Sequence, residues 1–192
     1  HNMEKLNVLF PTLVYETTIE QHNFKLESVL RNIPFNVCDD WRCDMKTTTN
    51  TYDIIKDKSF QNLLNAITKE VSQFSKTFGA SGNVRIVDAW INMSSTGSYQ
   101  EYHIHPDSHF SVAYYLKSDG NSGNIVFRSH EANNDMFMIP IIEMKPASYK
   151  TCAFKPITGK LLIFRSNLQH MVEKNRTNED RISLSANFIV ER

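Results

Sequence analysis

The chain has 192 residues and a formal net charge of zero, with 41% hydrophobic and 22% charged residues. This composition predicts one globular domain over residues 1–192 and argues against a general nucleic-acid or membrane-surface binder, which would carry a block of one charge. Three cysteines without a disulfide-framework spacing, no signal-peptide pattern and no long apolar run predict a cytoplasmic protein.

The first half of the chain contains one strong helical pattern. Apolar side chains recur every three or four positions through residues 57–81, which is the period of an amphipathic helix. Asp57 or Ser59 is expected to cap its first amide groups, and Gly79 is expected to end it. A second, shorter helix is expected near residues 24–33.

From residue 84 onward the pattern changes to short β-rich runs separated by turn-forming residues. The predicted strands cover residues 84–93, 109–116, 123–127, 159–164 and 181–190. Many short strands after a helical start favour a mainly β (α+β) fold. We expect a double-stranded β-helix, the jelly-roll barrel also found in cupins, over residues 84–192, supported by helical and extended segments in residues 3–83.

The stretch "EYHIHPDSH" concentrates three of the seven histidines. Because side chains two apart on a strand share a face, His103 and His105 are predicted to point the same way. With His170, which follows a distant apolar strand, they could hold one face of an octahedral metal and leave three positions open. Asp107 is an alternative third ligand, since His105 and Asp107 form a His-x-Asp pair. The spacing alone does not choose between them.

The last predicted strand alternates polar and apolar residues. Its polar face carries Arg181, Ser183, Ser185 and Asn187. A solvated face is the plainer interpretation. However, an arginine fork matches a carboxylate, so Arg181 with Ser183 could hold the far end of a dicarboxylic acid whose other end chelates the metal.

Four segments in this order resemble the iron- and 2-oxoglutarate-dependent oxygenases, and within them a group found in marine bacteria and their phages: "AWINM", "HIHPDSHFSVAYYL", "PITGKLLIFRSNLQHMVEKN" and "DRISLSANF". The resemblance implies Fe(II), 2-oxoglutarate and dioxygen as cofactors and cosubstrates. It implies a metal site of His103, His105 and His170, with Asp107 as the alternative third ligand. It also implies 2-oxoglutarate contacts from Arg181, Ser183, Tyr115 and Asn92.

The activity implied by this resemblance is hydroxylation of a substrate, coupled to oxidative decarboxylation of 2-oxoglutarate to succinate. No catalytic residue is expected beyond the metal centre. Two alternatives stay open. One is a cupin-type metal protein, an isomerase, dioxygenase or sugar-binding protein that does not use 2-oxoglutarate. The other is a non-catalytic binding module on the same barrel.

The sequence does not identify the substrate, which is expected to be a small molecule or a peptide. A homodimer is among the expected assemblies. The long segment 129–154 is polar at its start and apolar later, so it is expected to form a substrate wall, a subunit contact or a hydrophobic clasp on the barrel.

Overall fold

The computed structural model describes residues 3–20, 25–131 and 139–192. Within these ranges the chain forms two α-helices, which are α1 (Leu26–Leu30) and α2 (Gln61–Lys76). None of the helices in the described ranges has the length and apolar character that a membrane crossing requires. The three cysteines are free thiols.

The same ranges contain eleven strands, which pair in an entirely antiparallel manner. In chain order they are β1 (Val14–Thr18), β2 (Asn36–Val37), β3 (Lys46–Thr47), β4 (Val84–Ser94), β5 (Gln100–His103), β6 (Phe110–Lys117), β7 (Ile125–Arg128), β8 (Thr151–Phe154), β9 (Lys160–Arg165), β10 (His170–Val172) and β11 (Arg181–Val190). They form a seven-stranded sheet in the order β1-β9-β6-β11-β4-β3-β2 and a four-stranded sheet in the order β5-β10-β7-β8. The predicted mainly β jelly-roll fold is confirmed.

Helix α2 covers the outer face of the seven-stranded sheet. Its buried side chains, among them Ile67 and Val71, share one hydrophobic core with the apolar residues of β11, including Leu184 and Phe188. The opposite face of β11 therefore turns inward, toward the space between the two sheets. Its polar side chains line a cavity there, so the solvated-face interpretation of this strand is wrong.

The start of α2 follows the predicted capping chemistry with a small shift. The Asp57 carboxylate accepts the backbone N–H of Ser59 at 2.8 Å, and this caps a single 3₁₀ turn that leads into the helix at Gln61. Gly79 adopts a left-handed φ of 78° three residues after the helix ends. The other predicted helix is shorter than expected, because α1 has five residues, and residue 24 lies outside the described residues.

All five predicted strands are present, and β11 has the predicted bounds. Strand segments were also expected at His103 and from His170, where β5 and β10 lie. The prediction missed the strands with only two residues, β2 and β3, and also β1 and β8. Strand β8 lies inside segment 129–154, where it pairs with β7.

Candidate metal and cosubstrate site

Three histidines from separate parts of the fold meet at one end of the inter-sheet space. His103 is the last residue of β5 and pairs directly with His170, the first residue of β10. One ring nitrogen from each of these residues and from His105 lies within 4.8 Å of the others. The expectation that His103 and His105 share a strand is wrong, because β5 ends at His103. His105 lies in the loop that follows β5, where its backbone N–H donates to the carbonyl of Ser166 at 2.9 Å.

Each ring is held through its Nδ1 atom by an oxygen acceptor. His103 lies 2.7 Å from the carbonyl of Glu101, and His170 lies 3.0 Å from the carbonyl of Leu168. His105 lies 2.8 Å from the side-chain oxygen of Asn187. An acceptor at Nδ1 places the ring proton there, so each Nε2 keeps its lone pair.

Burial keeps these rings neutral. It lowers the pKa of His105 to about 4 and the pKa of His170 to about 3, and it also lowers the pKa of His103. The neighbouring His103 lowers the pKa of the other two rings further, because two adjacent imidazolium ions would repel. Neutral imidazole is the form that binds metals.

The distances fit a divalent metal. Two nitrogens that bind one metal at right angles with bonds of about 2.1 Å lie about 3 Å apart. The Nε2 atoms of His105 and His170 are separated by 3.2 Å. With both protons on Nδ1, two lone pairs face each other at this distance, which is unfavourable unless a cation lies between them.

The alternative ligand, Asp107, is not brought to this group. It is exposed, has a left-handed φ of 65°, and is not a member of the cluster of possible ligands. His109 has a structural role instead, because its Nδ1 accepts the backbone N–H of Val190 at 2.8 Å.

A buried hydroxyl network supports the His105 side of the site. The Asn187 oxygen that binds His105 also accepts the Ser111 hydroxyl at 2.8 Å, and Ser111 lies 2.8 Å from the Ser166 hydroxyl. All three polar side chains are buried. Partners of this kind fix the orientation and tautomer of a metal-binding imidazole. The sequence placed Asn187 on the correct face of β11 but assigned it no role.

Arg181 lies at the opposite end of the same cavity. The residue is 2% exposed, and one of its guanidinium nitrogens donates to the backbone carbonyls of Ser122 and Gly123. No carboxylate forms an ion pair with Arg181 among the described residues. Burial lowers the pKa of Arg181, an effect that the nearby Tyr115 and Cys43 oppose. A buried cation without an anionic partner is unusual and indicates a site for an anionic ligand.

The other predicted cosubstrate contacts surround Arg181 on the inner sheet face. Ser183 of β11 lies in register between Asn92 of β4 and Tyr115 of β6, and all three line the cavity. Burial raises the pKa of Tyr115 to about 12, although the positive charge of Arg181 opposes this rise. The phenol therefore keeps its proton and can donate a hydrogen bond to a carboxylate.

The cavity joins these two ends. It encloses about 430 Å³ and is lined by the three histidines, by Arg181 with its neighbours, and by both tryptophans of the chain, Trp41 and Trp90. The sequence prediction missed both tryptophans. Trp41 lies in the first half, where no motif was found, whereas Trp90 was inside the recognised "AWINM" segment but was taken as part of the strand.

Segment 129–154 contributes none of its described residues to the cavity wall. Residues 132–138 lie outside the described residues. Beyond them, Ile139, Ile142 and Met144 are largely exposed rather than packed on the barrel. The described residues of the segment therefore do not line this cavity, and Phe154 at its end packs against Phe127 of the barrel core with ring centroids 5.7 Å apart. The segment's role as a substrate wall, a subunit contact or a hydrophobic clasp stays a prediction.

The same architecture occurs in oxygenases of known structure. A prolyl-4-hydroxylase from Pseudomonas putida is similar with a TM-score of 0.64 and 13% identity, over 94% of each chain. HygX from Streptomyces hygroscopicus, solved with nickel, 2-oxoglutarate and hygromycin B, has a TM-score of 0.64 and 10% identity over 93% of this chain and 83% of its own. A 2OG-Fe(II) oxygenase family oxidoreductase from Burkholderia pseudomallei has a TM-score of 0.60 and 17% identity, over 85% and 76%.

These similarities establish the fold of a 2-oxoglutarate oxygenase. Residues 88–187 match the family described as "Putative 2OG-Fe(II) oxygenase". The chain therefore belongs to this family, whose cofactors are iron(II) and 2-oxoglutarate. No curated protein matches the chain. The membership supports the oxygenase interpretation over the cupin alternative, while an origin in marine bacteria or their phages stays a prediction.

Proposed function

We propose that the protein is an Fe(II)- and 2-oxoglutarate-dependent dioxygenase that hydroxylates a small molecule or a peptide. The observation that carries this proposal is one cavity with three inward-facing imidazole Nε2 atoms at one end and, at the other, a buried arginine that has no carboxylate partner among the described residues. His103, His105 and His170 would hold the iron. Arg181, Ser183, Tyr115 and Asn92 would hold 2-oxoglutarate.

The roles of the iron and of the protein side chains follow from these positions. Bound iron(II) supplies the oxidative chemistry, in which one oxygen atom of dioxygen enters a substrate C–H bond and the other enters succinate as carbon dioxide leaves. The guanidinium of Arg181 orients the cosubstrate through two-point contact with its distal carboxylate. The phenol of Tyr115 donates a further hydrogen bond. The neutral histidines contribute no negative charge to the metal centre.

The test is the affinity of the anaerobic Fe(II) protein for 2-oxoglutarate, followed by the visible charge-transfer absorption of the chelate. A charge-assisted hydrogen bond contributes about 1.5–3 kcal/mol, so Arg181→Ala should weaken binding at least about tenfold while iron affinity is unchanged. Arg181→Lys should be intermediate, because it keeps the charge but loses the fork geometry. If Arg181→Ala binds 2-oxoglutarate as tightly as the unchanged protein, the assignment of Arg181 is wrong.

The metal assignment has a separate test. His170→Ala should abolish stoichiometric iron binding, and His103→Ala should be far more damaging than Asp107→Ala at equal iron supply. Equal losses for the last two variants would contradict the three-histidine site. Hydroxylation is recognised by a product one oxygen atom heavier than the substrate, formed together with succinate. The cytoplasmic location and a homodimeric assembly stay predictions.

A further inference from the structure

Both tryptophans of the chain lie at the metal end of the cavity. Trp41 belongs to the hairpin loop, residues 38–45, that joins β2 to β3, and its ring centroid is 4.8 Å from that of His103. Trp90 lies on β4, and its ring stacks on His105 at 5.6 Å with an interplanar angle of 25°. Two of the three metal-binding imidazoles are therefore in contact with an indole that lines the cavity.

The hairpin loop is fastened across the cavity rather than left free. The Cys43 thiol donates to the carbonyl of Tyr99 at 3.0 Å, and the Tyr99 N–H returns a bond to the Cys43 sulfur at 3.4 Å. The Tyr99 hydroxyl donates to the carbonyl of Arg42 at 3.3 Å. Tyr99 immediately precedes β5, so the loop bridges from the seven-stranded sheet to the four-stranded sheet. This attachment holds Trp41 at the metal end of the cavity.

A carboxylate accompanies each tryptophan in the cavity wall. Asp40 precedes Trp41 in the hairpin loop, and Asp88 lies two residues before Trp90 on β4. Both are exposed at the cavity wall, Asp40 accepts a weak hydrogen bond from the Cys38 thiol at 3.8 Å, and neither forms an ion pair within the part of the chain that the structure describes. Arg181, which also lines the cavity, forms no ion pair with either of them. Partial burial raises the pKa of Asp88, and the negative charge of Asp53 adds to this effect, as expected for a carboxylate that lacks a cationic partner.

The charges of the cavity wall point the same way. Among its lining residues the acidic ones are Asp40 and Asp88, and the one lysine or arginine is Arg181, which is assigned to 2-oxoglutarate. With the cosubstrate bound, the remaining formal charge of the wall is therefore negative. Indole faces together with carboxylates are typical of a site for an organic cation.

We propose, building on the oxygenase function proposed above, that the substrate carries a protonated amine or a guanidinium group, which Asp40 and Asp88 bind beside the indoles of Trp41 and Trp90. The cation is held near the metal end, opposite the 2-oxoglutarate carboxylate at Arg181. The two charged ligands are thereby directed to opposite ends of one cavity.

The experiment uses the intrinsic fluorescence of the two tryptophans, both of which lie at this site. The full chain, loaded anaerobically with Fe(II) and 2-oxoglutarate, is titrated with three probes of similar shape: benzylammonium, benzyl alcohol and benzoate. Benzylammonium should bind about tenfold more tightly than benzyl alcohol, because cation–π contact and partly exposed charge pairs each contribute up to about fivefold. Benzoate should bind most weakly.

Substitutions locate the effect. Asp40→Asn and Asp88→Asn should each reduce the preference for benzylammonium over benzyl alcohol by about two- to fivefold. Asp39→Asn is the matched control, because Asp39 is exposed in the same loop but does not line the cavity, and it should leave the preference unchanged. Thermal unfolding of each variant confirms that the fold is retained.

Three results would overturn the inference: no saturable benzylammonium binding at millimolar concentrations, equal affinity for the charged and neutral probes, or a preference that survives in the Asp40→Asn, Asp88→Asn double variant. A protein that prefers benzylammonium but shows no 2-oxoglutarate chelate would instead contradict the proposed oxygenase function and leave the cation site standing. The two proposals therefore fail separately.

Discussion

Gly123 is expected to control 2-oxoglutarate binding although it does not line the cavity. Its φ of 101° is a conformation that L side chains rarely adopt, and its carbonyl accepts a hydrogen bond from Arg181 at 3.3 Å. A Cβ added there would overlap the carbonyl oxygen of Glu173 and would lie 2.9 Å from the Arg181 guanidinium. In Gly123→Ala, either the turn or the arginine must move.

The magnitude follows from these two effects. The backbone strain should lower the free energy of unfolding by about 1–3 kcal/mol. Displacement of the guanidinium should remove at least one charge-assisted hydrogen bond to the cosubstrate, which is about 1.5–3 kcal/mol and therefore at least about tenfold in affinity. The measurement is 2-oxoglutarate titration of the anaerobic Fe(II) protein, together with urea unfolding. Iron affinity should not change.

Gly120→Ala is the matched control for this prediction. Gly120 lies in the same turn with a similar φ of 88°, but an added Cβ would meet nothing within 4 Å. Gly120→Ala should therefore share the strain and lose stability, yet keep its affinity for 2-oxoglutarate. The reasoning is refuted if the two variants bind 2-oxoglutarate equally well, because the collision with Arg181 would then have no effect on the cosubstrate.

Further predictions concern the support of the metal site and the fold. Asn187→Leu removes the acceptor that orients His105 and should lower iron affinity about 10- to 100-fold in an iron titration. Asn187→Asp keeps an acceptor and should retain most of the iron affinity. Equal losses of iron affinity in the two variants would mean that the acceptor is unimportant. Asp57→Ala should lower the free energy of unfolding by about 1–2 kcal/mol at pH 7 in urea titrations, because Asp57 caps the turn before α2 and accepts the Tyr52 hydroxyl at 2.6 Å. Although partial burial raises the pKa of Asp57, the hydrogen bonds from Tyr52 and Ser59 bring it below its ordinary value of 3.8. The charged carboxylate therefore stabilises the fold above that pH, and the difference in unfolding free energy between the unchanged protein and Asp57→Ala should shrink as acid protonates Asp57. A difference that grows in acid would contradict this sign. Ile67→Ala, in the fully buried face of α2, should cost about 2–5 kcal/mol in the same measurement, and a loss below about 1 kcal/mol would mean that this face does not pack as described.

The strands with strict alternation could be predicted closely from the sequence. β11 was predicted with its observed bounds because polar and apolar residues alternate from Arg181 to Phe188 and the apolar pair Ile189 and Val190 continues the strand; the fold covers the two faces differently. The long helix was predicted for the same reason, since its apolar period marks the face that packs on the sheet.

The missed elements have no such pattern. β2 and β3 contain two residues each, too few for a period to be visible, and they exist because β3 pairs with β4. The contact between Trp41 and His103 joins residues more than sixty positions apart and depends on that pairing. β8 was hidden because its four residues lie within a long segment of mixed polarity. The sequence also did not show that β5 ends before His105. A strand and a loop can both bring the side chains of residues 103 and 105 to the same point, so the spacing is the same in either case.

The three imidazoles differ in what secures them, and this difference bears on how the sequence can diverge. His103 and His170 each depend on a main-chain carbonyl two residues earlier, an acceptor that every amino acid provides. Substitutions at positions 101 and 168 would thus leave that acceptor in place. His105 depends on the side chain of a residue 82 positions away. A substitution at position 187 would therefore remove the acceptor that orients a metal-binding imidazole. A relative that replaces Asn187 would need a compensating acceptor nearby.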